Sequence, residues 1–325
     1  MRHIALAVLM LAFAAAASAE TPGPELVPVA TGLMESMVDA DPAVRQAVAR
    51  RLGESRDKGA LGPLSAMLAE DPEEDVRLAA MGALISIDRA SSRPAFVKAL
   101  MDVSERVRRS AAEALTGIWD EEAQKALIGA LIGDISPKVR RSAAEALGEQ
   151  GVMGKYTAHR WDSAAETEDA LIESLKKDES YEVRAAAASL LGRFKSGKAL
   201  APLLDALTGD KSSAVRAAAA ESLGMAENFQ AVDRLIDALY FEKDEMVLVS
   251  ALKSLKYSDD PRAAVPALNA LKSGSPRVRW QAIEVLVTLR PPEAAGQLRR
   301  VAEDKSESAG IREKAMEALQ LLGAE

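Results

Sequence analysis

The sequence predicts an all-α protein, an α-solenoid of about nine stacked helical hairpins, on three observations. A β-branched residue, usually followed by arginine, returns at nearly constant spacing: Val44, Val76, Val107, Val139, Val183, Val215, Val247, Val278 and Ile311, in steps of 31 to 33 residues with one of 44. With that residue as position zero, leucine stands at +8 in all nine copies and alanine at +4 in eight, Val48 being the exception. Positions 0, +4 and +8, joined by small residues at +3 and +7, fall on one side of a helix at about 100° per residue, the pattern of a buried stripe.

The first nineteen residues stand outside this pattern. Arg2 and His3 precede an uncharged run from Ile4 to Ala17, and Ala17-Ser18-Ala19 before Glu20 has the small-x-small form that a signal peptidase accepts. Residues 1–19 are therefore expected to be a signal peptide. The apolar run is short for a membrane span. No span is expected after cleavage, and the expected location is an exported compartment, a bacterial periplasm.

Residues 20–323 read as the solenoid, with repeats near 24–53, 58–86, 91–118, 121–149, 167–192, 197–225, 228–256, 260–288 and 291–322. Each is a hairpin whose first helix carries its own apolar stripe: Leu61, Leu64 and Leu68 in the second repeat, Ala170, Leu171 and Leu175 in the fifth, Leu200, Leu203, Leu204 and Leu207 in the sixth. Pro63, Pro94, Pro202, Pro266 and Pro292 fall in the expected first turns of these helices, where a missing N–H costs least. Asp39, Asp71, Asp102, Asp134, Asp178 and Asp210 stand five residues before position zero and read as N-cap or turn residues. Gly53, Gly148, Gly192 and Gly224 read as helix stops. Repeat seven carries Glu242 and Leu248 in place of the aspartate and arginine and reads as a break in the pattern. The long step leaves extra residues between repeats four and five, so 150–166 is expected to be an insertion loop.

The pattern D-x-x-x-x-V-R-x-x-A-A-x-x-L-G is clearest in Asp134 to Gly148, Asp178 to Gly192 and Asp210 to Gly224. It resembles the short, alanine-rich HEAT repeats of phycobilisome-lyase-type proteins, over nearly the whole chain from Pro24 to Gly323. The resemblance implies a HEAT/armadillo-like superhelix in which recurring aspartate and arginine form a hydrogen-bonded ladder between successive repeats. On that reading Asp102, Asp134, Asp178 and Asp210, with Arg108, Arg140, Arg184 and Arg216, are structural, as are Arg45, Arg77, Arg279 and Arg312. It also suggests an accessory enzyme or chaperone-like factor of the bilin-lyase type as an alternative function.

Composition narrows the chemistry. The chain has 325 residues, 48% hydrophobic, 28% charged and only 4% aromatic, so it is a globular chain built from small aliphatic side chains. It has no cysteine, which excludes disulfides, thiolate nucleophiles and Cys-type zinc sites. A net charge of −8 argues against a dedicated nucleic-acid surface. Beyond the leader the sole histidine is His159, so no two-histidine zinc site can form, and no G-x-S-x-G elbow accompanies it. Gly192 to Ala199 is a near miss to a phosphate loop. It lacks the hydroxyl after Lys198 that would hold magnesium, and a helix rather than a strand precedes it. Carboxylate pairs such as Glu73–Glu74 and Asp259–Asp260 fall in expected turns, where solvated charges and caps are ordinary. No catalytic residue, cofactor or metal is expected.

Two features point to binding. The insertion gathers Tyr156, His159, Arg160 and Trp161, residue types that fall at interface hot spots or carry polar recognition, in a chain poor in aromatics. The second is the stripe opposite the buried one. Position +6 reads Arg50, Gly82, Glu113, Glu145, Ser189, Glu221, Lys253, Glu284 and Glu317. Arg109 and Arg141 are placed to pair with Glu113 and Glu145 at i,i+4, and Trp280 stands one turn from Glu284. Small residues Ala185, Ser189 and Ala217 are expected to leave room for a partner in the middle of the array, with Trp280 as an apolar anchor. The expected function is an exported, non-catalytic scaffold binding a protein or extended peptide.

Overall fold

A computed structural model describes residues 33–118, 120–154, 161–194, 197–225 and 229–324. Among them no strand occurs, and they group into two compact units that divide between Met153 and Gly154. The first unit holds α1 (Pro42–Ser55), α2 (Leu61–Glu70), α3 (Glu74–Asp88), α4 (Arg93–Ala99), α5 (Glu105–Ala114), α6 (Glu121–Gly133) and all but the last residue of α7 (Pro137–Gly154). The second holds α8 (Trp161–Lys177), α9 (Tyr181–Leu191), α10 (Leu200–Gly209), α11 (Ser213–Gly224), α12 (Phe229–Phe241), α13 (Glu245–Ser258), α14 (Ala264–Ala270), α15 (Pro276–Leu289), α16 (Ala294–Glu303) and α17 (Ala309–Leu321).

Each unit is two layers of helices. In the first, α1 packs on α3 and α3 on α5, while α2 packs on α4 and α4 on α6. In the second, α9, α11, α13, α15 and α17 form one layer and α8, α10, α12 and α14 the other, each hairpin closing between the two. No single hairpin could bury both its faces, so within each unit the core is continuous from hairpin to hairpin. The periodic stripe lies in that core: Val107, Val139, Val183, Val215 and Val247 are fully buried, as is every alanine at +4, and the leucines at +8 are buried in all nine repeats. At the start of the series Val44 is half-buried.

The turn between the two helices of a repeat is held by an arginine at +1. Arg108 donates from Nε and Nη2 to both carboxylate oxygens of Asp134 in the next repeat, at 2.7 and 3.0 Å, and from Nη1 to the carbonyls of Asp102 and Val103 in its own turn, at 2.9 and 3.2 Å. Arg45 does the same to Asp71, Arg77 to Asp102, and Arg184 to Asp210. Arg140 is buried and donates to the carbonyls of Asp134 and Ile135. Each aspartate also accepts from the backbone N–H two residues on, as Asp134 does from Ser136 and Asp178 from Ser180 at 2.8 and 2.9 Å. The aspartates are therefore turn residues rather than N-caps of the second helices. The caps stand two residues later: Ser104 accepts from the N–H of Arg106 and Val107, and Asp244 from Met246 and Val247.

Four expectations are corrected. Repeat seven does not break the ladder at Glu242, because the glutamate takes both Nε and Nη2 of Arg216, at 2.7 and 3.3 Å, in the aspartate's register. The expected break in repeat seven is at its other departure, Leu248, which supplies no guanidinium, and the next turn has Ser273 in place of the carboxylate. Of the glycines expected as helix stops, Gly192 caps α9 and Gly224 is the last residue of α11, both without a left-handed backbone, whereas Gly53 lies inside α1. A Cβ on Gly53 would lie 2.8 Å from Ala83 Cα, on Gly192 2.8 Å from Ser222 Cα, and on Gly224 2.9 Å from Ser254 Cα, so these positions let adjacent second helices touch. Gly148 lies inside α7, which continues to Gly154. Residues 150–166 are accordingly not a loop throughout, since the extra length extends α7 and α8 opens at Trp161. Pro292 precedes α16 instead of entering its first turn.

Candidate partner-binding face

With one face of every second helix in the core and its neighbours packed at either side, position +6 is what remains outward. Glu113, Glu145, Ser189, Glu221, Lys253 and Glu317 are exposed there, and Glu284 is half-buried. Arg141 Nε donates to Glu145 at 2.8 Å, and Arg109 forms an ion pair with Glu113 at 3.4 Å, both across one helical turn. Glu221 accepts from Ser250 Oγ on the next second helix at 3.0 Å. Position +2 is more sheltered than helical geometry alone suggests, and Ala217 is buried, because the close-approach glycines and serines bring the next helix over it. Ser222 Oγ donates to Ala188 O at 2.7 Å and Ser254 Oγ to Ala220 O at 2.9 Å, fastening those contacts.

Trp280 departs from this polar stripe. It is 44% exposed on α15, with Lys314 Nζ from α17 5.1 Å from its ring centre. The same ammonium pairs with Glu284, one turn along from Trp280, and Glu284 also accepts from Lys256 Nζ on α13 at 2.7 Å. These hydrogen bonds, first from Lys256 and then from Lys314, hold the Glu284 carboxyl below its usual range; the Glu284 bond in turn raises the Lys314 ammonium. One glutamate thus ties three successive second helices around an exposed indole.

In the first unit the face is hollowed. A groove of about 700 Å³ runs over α1 and α3 towards Arg106 at the start of α5, and a smaller hollow of about 260 Å³ continues between α3 and α5, the two sharing Leu78 and Gly82. Apart from its chain neighbours and the backbone of α3 itself, no atom lies within 4 Å of where a Cβ on Gly82 would stand. Room is thus open at Gly82, and of the small residues expected to leave space, Ala217 is buried.

The chain matches the family model described as HEAT repeats over residues 7–85, 93–155, 168–256 and 264–325. The chain belongs to the HEAT-repeat family. Solved structures similar to its HEAT array include the E. coli protein YibA, at 17% identity over 94% of this chain and 99% of that one, with a TM-score of 0.59. The importin Kap95p, solved bound to RanGDP, is similar at 16% identity over 92% of this chain, with a TM-score of 0.71, and importin β at 15% over 89%, with 0.69. This chain spans under half the length of either importin. At these identities the likeness is one of fold. The sequence has no significant match among curated proteins.

Within the HEAT array the sequence-predicted residues fall into separate places. Glu113 and Glu145 lie in the first unit, Glu221, Glu284 and Trp280 in the second, and only the last two share a cluster. Tyr156, His159 and Arg160 lie outside the described residues. Lys198 of the near-miss phosphate loop is tied to Asp169 at 3.0 Å. Among the described residues no group of three or more histidine, cysteine or acidic side chains is placed to hold a metal ion, and no helix is long and apolar enough to cross a membrane. Sequence reasoning missed the groove at Gly82 and also a ridge at the turn edge of the first unit, where Met101, Val103 and Ile135 are about nine-tenths exposed. The signal for the ridge was present as apolar residues inside otherwise polar turns.

Proposed function

We propose that this chain is an exported, non-catalytic scaffold that holds a protein or extended peptide on the outward face of its second helices. The observation that carries the reading is Trp280: a large aromatic left exposed on a stripe otherwise given to charged and small residues, with the Lys314 ammonium, itself paired with Glu284, over its ring. Ordered, partly exposed tryptophans are favoured anchors because they bury much area for little conformational entropy. HEAT arrays that bind proteins lend support, among them Kap95p, solved with RanGDP and with Nup1. Export rests on the leader, Arg2 followed by Ile4 to Ala17 and the Ala17-Ser18-Ala19 site.

The test is co-purification of the tagged protein from its native envelope, with Trp280→Ala and Tyr156→Ala/Trp161→Ala beside the unmodified chain, and an intact mass that places the new N-terminus at Glu20. Capture of a defined protein that falls at least about tenfold on loss of Trp280, with melting unchanged, supports the scaffold. A retained Met1 refutes export, and a small molecule turned over by the purified protein refutes the non-catalytic reading.

A further inference from the structure

The groove over Gly82 has a chemistry of its own. Its floor is Gly82 with Ala79 and Ala83, and Leu78 and Ile85 supply its apolar surface. Gly82 sits in the middle of α3, where glycine weakens a helix, and unlike Gly53 it has no neighbour close enough to require it. Filling the site with a side chain would meet no steric obstacle, so the space is open to an incoming group.

The charges around the groove are unevenly satisfied. Arg106 is engaged by Glu74 and Asp75, Glu54 faces Arg51 at 3.5 Å, and Glu113 faces Arg109 at 3.4 Å. Arg50 and Arg56 line the groove, and neither guanidinium makes a hydrogen bond or ion pair among the described residues. Arg56 is set by the turn itself: it caps α1 in the left-handed region at φ 54°, its N–H donating to Gly53 O. The groove's acids are thus answered within the protein, while two of its cations are left for a ligand.

We propose that this groove binds an extended, acidic peptide segment of a partner protein, carboxylates on Arg50 and Arg56 and apolar side chains over Gly82, Leu78 and Ile85. The inference rests on the reading of the second-helix face as the partner face. Packed helices lie about 9 Å apart, so the path from α1 across α3 to α5 is about 18 Å, the length of roughly six extended residues. A nucleic-acid strand fits less well, because it carries a phosphate at every step, whereas only Arg50 and Arg56, both at the α1 end of the path, are left unpaired to meet charge, and the rest of the floor is apolar.

The test uses the whole mature protein and a short fluorescent peptide of glutamate and leucine, with its glutamine and lysine counterparts and a single-stranded oligothymidylate as comparisons. The glutamate peptide is expected to bind, and to bind at least about tenfold more weakly to Arg50→Gln/Arg56→Gln and to Gly82→Phe. Phenylalanine fills the open space and favours helix over glycine, so Gly82→Phe should keep its helicity and melting. Equal affinity for the glutamine peptide, indifference to Gly82→Phe, or preference for the oligonucleotide overturns the assignment. The two readings fail separately: if the glutamate peptide fails to bind while Trp280-dependent capture of the native partner persists, the groove assignment is wrong and the scaffold stands. If Trp280-dependent capture is absent while the peptide binds as described, the groove assignment stands and the Trp280 anchor is wrong.

Discussion

Breaking one rung of the ladder should show whether it stabilises the stack or merely decorates it, and Arg108 with Asp134 is the rung to break. The two side chains are 11% and 7% exposed, joined by two parallel hydrogen bonds, and Arg108 adds two bonds to the carbonyls of its own turn. Hydrogen bonds to charged groups contribute about 1.5–3 kcal/mol each, offset in part by the desolvation of both ions. Arg108→Ala removes all four and leaves Asp134 only the N–H of Ser136, so it should cost about 3–4 kcal/mol. Asp134→Ala leaves a sheltered guanidinium with carbonyls alone and should cost about 3 kcal/mol. The double variant carries no orphaned charge, so the coupling in the cycle should be about 2 kcal/mol. Urea denaturation followed by far-UV circular dichroism reads these differences, and hydrogen exchange across α5 and α7 places them, since damage in a stacked array spreads chiefly to neighbours. The exposed pair Arg141–Glu145 is the comparison, with an expected coupling of about 0.3–0.5 kcal/mol. A coupling below about 0.5 kcal/mol at Arg108–Asp134 would refute the ladder as a stabilising device.

Installing the missing rung by Leu248→Arg/Ser273→Asp should raise stability by about 1 kcal/mol over the better single variant, read from urea midpoints; a double no better than its singles counts against rung geometry as the determinant. Gly224→Ala sets a Cβ 2.5 Å from Ser254 Cβ and should cost about 1–3 kcal/mol, partly recovered in Gly224→Ala/Ser254→Gly; an unchanged melting temperature would mean that the helices there can part freely. Stability should also fall in acid. Burial raises the carboxyls of Asp210 and Glu242, but hydrogen bonds, first from Arg184 and Arg216 and then from backbone N–H groups, outweigh it and hold both low, while Arg279 holds Glu307 low. Folded values below the ordinary 3.8 and 4.5 mean that this stabilisation is complete above the unfolded values and lost as pH drops through the folded ones. The urea midpoint should therefore be flat from neutrality to about pH 5 and decline below it, and a decline already complete above that point contradicts the assignment.

The buried stripe was legible because it obeys one rule within one helix: Val183, Ala187 and Leu191 are a turn apart, and their burial follows from period alone. What escaped the sequence depends on a second segment. Gly192 and Gly224 end their helices as their positions suggest, but they and Gly53 also answer to Ser222, Ser254 and Ala83 about thirty residues away, partners visible only once the repeats are stacked. The long step suggested a loop because it interrupts the period, whereas its residues lengthen helices at both sides. On the outward stripe, the pairing of Arg141 with Glu145 was legible at i,i+4, and so was the neighbourhood of Trp280 and Glu284. Lys314, which holds that pair together, comes from the next repeat. The groove at Gly82 was hidden for the same reason, since a hollow is made by the separation of three helices and by the side chain that one of them lacks.

The ladder explains why the departures from the pattern are unequal. A rung needs a guanidinium from one repeat and two carboxylate oxygens from the next, so what matters is reach. Glu242, one methylene longer than aspartate, still meets Arg216 in the same register, and Glu307 meets Arg279 from one residue further on, with Nη2 at 2.7 Å. Leu248 and Ser273 lose both halves together, which leaves no lone charge in a sheltered turn and is the cheaper way to omit a rung. Elsewhere in each unit the rungs fix the turn edge, while Ser222 and Ser254 fasten neighbouring second helices. The outward stripe is therefore carried on helices held at both the turn and the flank. A partner that meets it encounters side chains already positioned, so little ordering entropy is charged against binding.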